Sequence, residues 1–559
     1  MEPRRVALAV VLMAAVLIVT PILFPTPVPA PGTPVVAADS LATDSLAPAA
    51  AVPTPTAVAP VAGMQALPEA AVPSVVPVDT TVVTTTPVVF RTTNRGAALI
   101  GAQLTQYQTL KDRGRIKTGP VELADTGDRL LSYRLVVPGD TIRLDTQIFS
   151  ATTSEEAGVT TVRYEATVGA RAVAISYSFL PDSYRVNIAA VVEGAPENSF
   201  LLVDMPPGFN SAESDTTEDR SHLSYAYKVD LQSADGVKFS SLDPGERRIE
   251  GGPLTWVVAK NKYFLLGLLA PVGQAGYAEV DFTGGVRVAK EATRAQATVI
   301  APLKGGMTAF EVYAGPQEFN RLVAMGREFE TSNPYGGWLQ GVVQPFATMI
   351  IKLLLWMKAT LGLSYGWILV IFGIAVRIIL WPLNQRAMRS SMAMQRIQPE
   401  LQEIQTKYKG EPQKLQVELM RVYKEHGMSP FSSLSGCLPM LIPLPVFFAL
   451  FFVFQNTIEF RGVSFLWFPD ISVKDPFYVI PILVAVTAMG LSWIGMKGIK
   501  ANEQQKMMMY LMPAAMMVIF FNMASGLNLY YFVQNLASLP QQWLIARERT
   551  KAAPPIVRG

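Results

Sequence analysis

The chain is poor in the residues that build disulfides and metal sites: its 559 residues include one cysteine, Cys437, and two histidines, His222 and His426. One cysteine excludes an intramolecular disulfide, and two distant histidines leave little for a zinc or catalytic metal site. Charged residues are also scarce, at 16%, and the formal net charge of +3 is too small to indicate nucleic-acid binding. We therefore expect no metal, no cofactor and no direct nucleic-acid specificity.

Hydrophobic residues are abundant, at 50%, and the mean hydropathy is +0.28. This balance indicates a membrane protein. Residues 1–24 carry an arginine pair followed by an apolar run of about 19 residues, which is long enough to cross a bilayer. We interpret them as an uncleaved transmembrane anchor, and signal-peptide cleavage near Ala38 is the alternative.

Three further segments separate the anchor from the C-terminal apolar region. Residues 25–87 are mostly Pro, Ala, Val and Thr, which indicates a disordered linker. Residues 88–320 alternate apolar and polar residues between turn signals, which predicts a large all-β sandwich domain. Residues 321–362 predict connecting and interfacial helices, because Lys352 and Lys358 interrupt the apolar stretch there.

The region 363–546 predicts a core of five transmembrane helices, for a total of six with the anchor. An inside N-terminus places the β domain outside, and it places the Arg- and Lys-rich 384–433 loop and the short basic tail 547–559 inside. The predicted spans are 365–383, 435–456, 477–494, 507–523 and 527–545.

Arg377 lies within the first of these five spans, and none of the five contains an Asp or Glu. Its charge could be solvated by snorkelling to the inner interface. The other interpretation is that Arg377 faces a wet cavity between helices, where water rather than an ion pair solvates the charge.

The last span has one polar side, made of residues three or four apart: Asn528, Tyr531, Asn535, Ser538 and Gln542, with Gln534 and Gln541 adjoining. A polar side of this kind supports the cavity interpretation. Hydrogen bonding between the helices of a tight bundle is the alternative.

The 384–433 loop predicts a helical hairpin, with a turn at 409–412. Its two apolar stripes are Ile397, Leu401, Ile404 and Tyr408 on the first arm, and Leu415, Leu419 and Val422 on the second. The hairpin is either a docking platform for partners or a simple tether between two spans.

Five segments give the chain a resemblance to a known family: VRIILWPLN, QPELQEIQTKY, LMRVYKEHGMSP, SGCLPMLIPLPVFFALFF and SGLNLYYFVQNLASLPQQWLI. The chain resembles the YidC/Oxa/Alb family of membrane protein insertases, specifically its bacterial inner-membrane type. The resemblance implies a hydrophilic groove around Arg377, open to cytoplasm and lipid, with an aromatic residue at Tyr531. Gly373 and Pro443 stand where relatives commonly carry polar groove residues. We expect the groove set to be Arg377, Asn528, Tyr531, Gln534, Asn535 and Ser538.

The resemblance also implies a function and partners. We expect a non-enzymatic insertase and chaperone of the bacterial inner membrane, with both termini cytoplasmic. It would act on nascent membrane proteins in the lipid bilayer, alone or with the Sec translocon, and the ribosome or signal recognition machinery is a further candidate partner. A long basic ribosome-binding tail is not expected after Ile545.

Two other classes of function stay open from the residues alone. One is a secondary transporter that binds an anionic solute at Arg377. The other is a membrane-anchored enzyme or glycan-binding protein that works through its β domain.

Overall fold

The computed structural model describes residues 77–552 except 274–275, 289–290, 293, 334–339, 409, 426–443 and 498–502. The predicted anchor 1–24, most of the predicted linker, the end of the predicted hairpin and most of the predicted tail lie outside the described residues.

The first half of the described chain is made of antiparallel strands. Strands β1–β4 form a four-stranded sheet, and β17 pairs with β18 alone. The larger sheet has the order β6-β5-β11-β19-β16-β14-β15-β20-β10-β9-β8-β7, with β12 paired to β13 and β14. The strands are β1 Thr80–Thr84, β2 Val88–Thr93, β3 Ala98–Lys111, β4 Ile116–Glu122, β5 Ser132–Val137, β6 Asp140–Arg143, β7 Ser150–Glu156, β8 Val159–Val168, β9 Arg171–Phe179, β10 Arg185–Val192, β11 Phe200–Asp204, β12 Ser224–Val229, β13 Asp235–Lys238, β14 Arg247–Lys260, β15 Phe264–Leu269, β16 Tyr277–Gly284, β17 Arg287–Val288, β18 Glu291–Ala292, β19 Ala295–Pro302 and β20 Met307–Pro316.

The two larger sheets share one hydrophobic core. Along β9, Ile175, Tyr177 and Phe179 are buried while the residues between them are partly exposed, as a strand with one face on a core requires. Two contacts join the sheets. The ring centroid of Phe90 in β2 lies 5.2 Å from that of Phe179 in β9, and the hydroxyls of Thr92 in β2 and Tyr164 in β8 hydrogen-bond at 2.7 Å. The predicted β-sandwich is confirmed.

The domain begins earlier than the sequence suggested. Strand β1 lies inside the stretch 25–87 that was predicted to be linker, and it pairs with β2 from Thr80↔Thr93 to Thr84↔Val89. Its sequence, TTVVT, has the Thr and Val content of the linker, so composition alone did not separate the two. Pairing with β2 is what orders it.

The second half is helical. The helices are α1 Thr216–Ser221, α2 Phe319–Ala324, α3 Gln340–Leu361, α4 Tyr365–Lys407, α5 Pro412–Glu425, α6 Leu444–Asn456, α7 Val479–Met496, α8 Glu503–Phe520 and α9 Ser525–Ala552. Short 3-10 turns lie at Phe239–Ser241, Phe329–Ser332 and Ile458–Phe460.

Two helical stretches in the described residues are long and apolar enough to cross a membrane, Tyr365–Gln385 and Val479–Met496. A shorter apolar stretch covers Val446–Asn456, next to the undescribed segment 426–443. The predicted count of six spans is therefore not confirmed.

The 457–478 loop between α6 and α7 contacts the first residues of two other bundle helices, α4 and α9. Tyr365, at the start of α4, packs edge-to-face on Phe460 of the loop at 5.1 Å between ring centroids. At the start of α9, the Ser525 N–H donates to Val473 O at 2.8 Å. Because α7 begins directly after the loop, α4, α7 and α9 all start on the same side of the bundle.

The same loop joins the bundle to the β domain through a buried ion pair. Arg461 Nε donates to Glu213 Oε1 at 2.7 Å, and the two side chains are only 5% and 8% exposed. Arg461 Nη2 also donates to Gln108 O at 2.9 Å. Burial raises the pKa of the Glu213 carboxyl to about 7, and the charge of Arg461 opposes this rise.

Replacing Glu213 with glutamine is expected to weaken this junction, because the guanidinium of Arg461 cannot lose its proton and would stay buried without the carboxylate that pairs with it. We expect the free energy of unfolding to fall by about 3–5 kcal/mol, which is measured as a lower melting temperature of the full chain in detergent.

Arg143→Gln is the matched control. It breaks an ion pair with Asp145 in which the Arg143 side chain is 68% exposed, and exposed pairs contribute about 0–1 kcal/mol. If Glu213→Gln and Arg143→Gln lowered the melting temperature equally, the buried pair would not be what stabilises the junction.

Candidate functional site

Arg377 of α4 is held by an uncharged partner. Its Nη2 donates to Oε1 of Gln541 on α9 at 2.5 Å. Gln541 is 1% exposed, and its Nε2 donates in turn to Trp381 O at 3.1 Å. Among the described residues, Arg377 forms no ion pair, and its buried Nε has no hydrogen-bond partner. The guanidinium therefore keeps a full charge and a free N–H in a partly buried position.

Helix α9 presents further polar groups beside Arg377. Gln534 Nε2 donates to Gly373 O of α4 at 2.9 Å and to the Tyr530 hydroxyl at 3.0 Å. The Ser538 hydroxyl donates to Gln534 O at 2.6 Å. Gln534 and Ser538 thus lie on the part of α9 that faces α4.

On its other flank, α9 contacts α7. Asn535 Nδ2 donates to Val484 O at 3.2 Å and to Thr487 Oγ1 at 3.1 Å. Further along, an Arg549 N–H donates to Gly495 O. From the sequence, the alternative to a cavity was that the polar side of α9 forms hydrogen bonds to neighbouring helices. Asn535 does so with α7, and Gln534 does so with Gly373 of α4.

These contacts also fix the relative direction of the helices. Gln534 of α9 contacts Gly373 of α4, and the later residue Gln541 contacts the later residue Arg377, so both helices advance in the same direction. Moving from Asn535 toward the end of α9 likewise corresponds to moving toward the end of α7. Helix α9 therefore runs parallel to both of its neighbours.

Asn528 does not join this group. It is fully buried at the start of α9, where its Nδ2 donates to Phe520 O at 3.0 Å and Met523 O at 3.4 Å. At a rise of about 1.5 Å per residue, it lies about 20 Å along the helix from Gln541. Periodicity placed Asn528 on the predicted polar side of α9 but carries no information on its depth, and in the structure its side chain bonds to the turn between α8 and α9.

Tyr531 lies in an aromatic cluster. Its ring centroid is 5.3 Å from that of Phe447 on α6 and 5.2 Å from that of Phe520 on α8. The cluster joins α9 to two further helices of the bundle. The part of the chain just before α6, residues 426–443, lies outside the described residues, and so does Pro443.

Gln541 is the residue that the predicted set omitted. The sequence placed it beside the polar side of the last span, one position from Gln542, and gave no reason to prefer it. The 100° step between adjacent helical residues turns Gln541 toward α4, so that it meets Arg377. Only the packing of α9 against α4 identifies it.

The predicted helical hairpin is present, but it has no separate first helix. Helix α4 continues for 43 residues through the predicted boundary at 384, and α5 returns after the turn. Ile397, Leu401 and Val422 are buried together, and Ile404, Leu419 and Tyr423 pack against them. Tyr408 and Leu415 lie nearer the turn, are partly exposed and are not in this cluster.

Two family models match the chain. The model of the 60Kd inner membrane protein matches residues 356–552, and that of the YidC periplasmic domain matches residues 80–349. The membrane protein insertase YidC of Chlorobium phaeovibrioides is 34% identical over 421 residues, which is 71% of this chain and 70% of the relative. The chain belongs to the YidC family of membrane protein insertases. Its β-sandwich is the periplasmic domain of the family, whose members are inner-membrane proteins.

Further matches come from the same family. The insertase of Pelodictyon phaeoclathratiforme is 34% identical over 424 residues, covering 71% of this chain and 70% of the relative. A crystal structure of an active YidC insertase with its first transmembrane domain resolved is 18% identical, with a TM-score of 0.33, and the match covers 84% of this chain and 95% of that one.

We expect Asn528→Ala to lower stability without changing the site at Arg377. The carbonyls of Phe520 and Met523 would each lose a hydrogen bond, and Phe520 O would keep the one from the Met523 N–H, so the melting temperature in detergent should fall, at a cost of about 1–3 kcal/mol. The rate of insertion per folded molecule into liposomes should match the unmodified protein. A slower rate of insertion by fully folded Asn528→Ala would show that Asn528 does belong to the functional site.

Proposed function

We propose that this protein inserts and helps fold integral membrane proteins through a hydrophilic groove centred on Arg377. One observation carries the proposal: a permanently charged guanidinium in a membrane helix has an amide as its only described partner and keeps a buried, unpaired N–H. Buried polar groups are normally satisfied, and a buried charge is normally paired. Water or a polar segment of an arriving chain would complete the coordination of Arg377.

The groove is proposed to lie between α4 and α9. Arg377 and Gln541 would form its centre, and Gln534 and Ser538 would extend its polar lining along α9, whereas Asn535 contacts α7 on the other flank. Tyr531 would border it through its aromatic contacts with α6 and α8. Asn528 is left out, because its hydrogen bonds belong to the turn before α9.

The proposed topology has six spans, with both termini in the cytoplasm. The periplasmic domain contacts the 457–478 loop, so this loop lies on the periplasmic side. The parallel directions of α4, α7 and α9 fit three spans that start at the periplasm, with α6 and α8 returning between them. The segment 1–24 would supply the sixth span.

Insertion would proceed without a chemical reaction. The positive groove attracts the acidic or polar tail of an incoming chain and shortens the apolar path that this tail must cross. The apolar helix of the substrate then moves sideways into lipid, where its burial is favourable. The membrane potential adds about 2.3 kcal/mol per elementary charge and 100 mV for acidic tails moving outward.

The proposed partners are nascent membrane proteins and the lipid bilayer, with the Sec translocon as a co-acting machine for some substrates. The hairpin formed by the end of α4 and α5 is the proposed contact for the ribosome or signal recognition machinery. Its exposed Val417 and Met420, at 66% and 51%, supply apolar area at the surface.

The other two classes of function are not favoured. A secondary transporter needs a coupling site, and the described parts of the predicted spans contain no Asp or Glu. An enzyme or glycan-binding role in the β domain is not favoured either, because the model that matches this domain describes the YidC periplasmic domain and the relatives reported above are named membrane protein insertases. Among described residues, no group of His, Cys, Asp and Glu could hold a metal ion.

Charge substitutions at the centre of the groove test the proposal. Arg377→Ala should slow insertion of substrates with acidic translocated tails by at least tenfold, whereas Arg377→Lys should retain most of the rate because it keeps the charge. Gln541→Glu should slow insertion of the acidic-tail substrates as Arg377→Ala does, since a carboxylate at position 541 would neutralise the guanidinium. The measurement is insertion into liposomes of matched substrates with acidic and neutral tails.

Gln541→Met is the control for the last variant, because it changes the packing at position 541 without adding a charge. Equal insertion of the acidic-tail substrate by the unmodified protein and by Arg377→Ala would contradict the groove. So would normal activity of Gln541→Glu in folded protein.

A second prediction separates a docking hairpin from a tether. Leu401 is 8% exposed inside the hairpin, so Leu401→Asp should unfold the pairing of α4 with α5 and slow insertion severalfold. Gln405→Asp, at an exposed position on the same arm and outside the proposed contact surface, is the matched control and should leave both the hairpin fold and insertion unchanged. Normal insertion by Leu401→Asp, with local unfolding verified by protease sensitivity, would leave only the tether interpretation.

A further inference from the structure

A tight hairpin of the periplasmic domain reaches the end of a membrane helix. This basic hairpin, Lys111–Lys117, joins β3 to β4. Arg113 Nη1 donates to Pro476 O at 2.9 Å, three residues before the first residue of α7. The Arg113 guanidinium lies 5.9 Å from the ring centroid of Tyr478, and that of Arg115 lies 5.6 Å from the ring of Phe477.

The position of the hairpin is fixed by close packing. Gly114, at the tip, has φ of +83° and lies so close to Asp470 that an added Cβ would be 2.9 Å from the Asp470 Cβ. At the base of the hairpin, the Leu110 N–H donates to Ala212 O at 2.8 Å. Since α7 is long and apolar enough to cross a bilayer, the tip is held at the level where α7 enters it.

The charges that the hairpin presents to the outside are almost all positive. Within 111–117 there are four basic residues and one acid, a balance of 4 − 1 = +3. The basic residues are Lys111, Arg113, Arg115 and Lys117, and all are exposed. The acid, Asp112, is 3.9 Å from Arg115, which is long for an ion pair.

Two acids lie beneath the hairpin, and both are buried. Asp470 and Asp475 are each 1% exposed. Asp470 Oδ1 accepts hydrogen bonds from Ser472, and Asp475 accepts them from the backbone N–H groups of Phe477 and Ile480. The two carboxylates therefore lie inside the loop, while the cations of the hairpin lie at the surface.

Apolar groups border the cations. Phe477 is 59% exposed, Tyr478 39% and Ile116 52%. Exposed aromatic rings at the end of a membrane helix are typical of the bilayer interface, where Arg and Lys side chains reach the phosphates. The hairpin and the start of α7 therefore combine apolar anchors with a cluster of cations at one depth.

We propose that the basic hairpin, together with Phe477 and Tyr478, binds the phosphate-bearing headgroups of anionic phospholipids in the periplasmic leaflet. The apolar side chains enter the interface, and the four cations gather negatively charged headgroups around the hairpin. This site would hold the periplasmic domain on the bilayer next to α7. The inference relies on α7 starting at the periplasmic side, and it is independent of Arg377.

The test is a lipid-proximity measurement on the full chain in nanodiscs. A fluorophore is attached at Thr118→Cys, an exposed position beside the hairpin, in a Cys437→Ser background. Quenching by brominated phosphatidylglycerol is compared with quenching by brominated phosphatidylcholine at the same mole fraction. We expect phosphatidylglycerol to quench at least threefold more, with the difference shrinking at high salt, where exposed charges are screened.

The double variant Arg115→Gln/Lys117→Gln should abolish the lipid preference. Arg143→Gln/Arg163→Gln removes the same number of charges from exposed sites on β6 and β8, and it should leave the preference intact. Arg377→Ala should also leave it intact, which separates this site from the proposed groove.

Two results would overturn the proposal. No quenching by either lipid would mean that the hairpin does not reach the bilayer. Equal quenching by the two lipids would mean that the hairpin lies near the bilayer without selecting anionic headgroups, and if an acidic peptide then changed the fluorophore signal, the surface would be a peptide site.

Discussion

The structure depends on solvating one charge that cannot be removed. The guanidinium of Arg377 stays protonated at any physiological pH, and its described partner is an amide, Gln541, rather than a carboxylate. An ion pair would cancel the charge and close the site, whereas an amide fixes the side chain and leaves its field in place. A hydrogen bond to a neutral acceptor therefore positions Arg377 without neutralising it, which is what the proposed attraction of acidic segments requires.

Helix α9 is the element that holds this arrangement. It runs parallel to α4 and α7 and donates side-chain hydrogen bonds to both, through Gln534 and Asn535. Each such bond contributes little in a membrane, about 0.6 kcal/mol on average, so the register rests on several of them together. At the periplasmic side, the 457–478 loop gathers the helix ends, and its buried Arg461–Glu213 pair attaches the β domain. The position of Arg377 beside α9 is thus fixed by contacts along α9 and by the loop at one end of the bundle.

Much of this could be predicted from sequence, and the failures have a common cause. Alternation of apolar residues predicted the sandwich, and helical periodicity placed Asn535 and Ser538 on one side of the last span, with Gln534 adjoining. Periodicity gives an angle around a helix, but neither depth nor neighbour, so it included Asn528 and left out Gln541. Composition likewise could not distinguish β1 from the linker, because strand pairing with β2 orders that segment.

The central claim, that position 377 is a wet site that works through its charge, is tested most directly by restoring the charge chemically. In a Cys437→Ser background, Arg377→Cys should insert acidic-tail substrates poorly. Treatment from the cytoplasmic side with a cationic aminoethyl methanethiosulfonate should label the cysteine and recover much of the rate, while a neutral reagent of similar size should label without recovery. Absence of labelling, or equal recovery with both reagents, would contradict a hydrated groove that acts through charge.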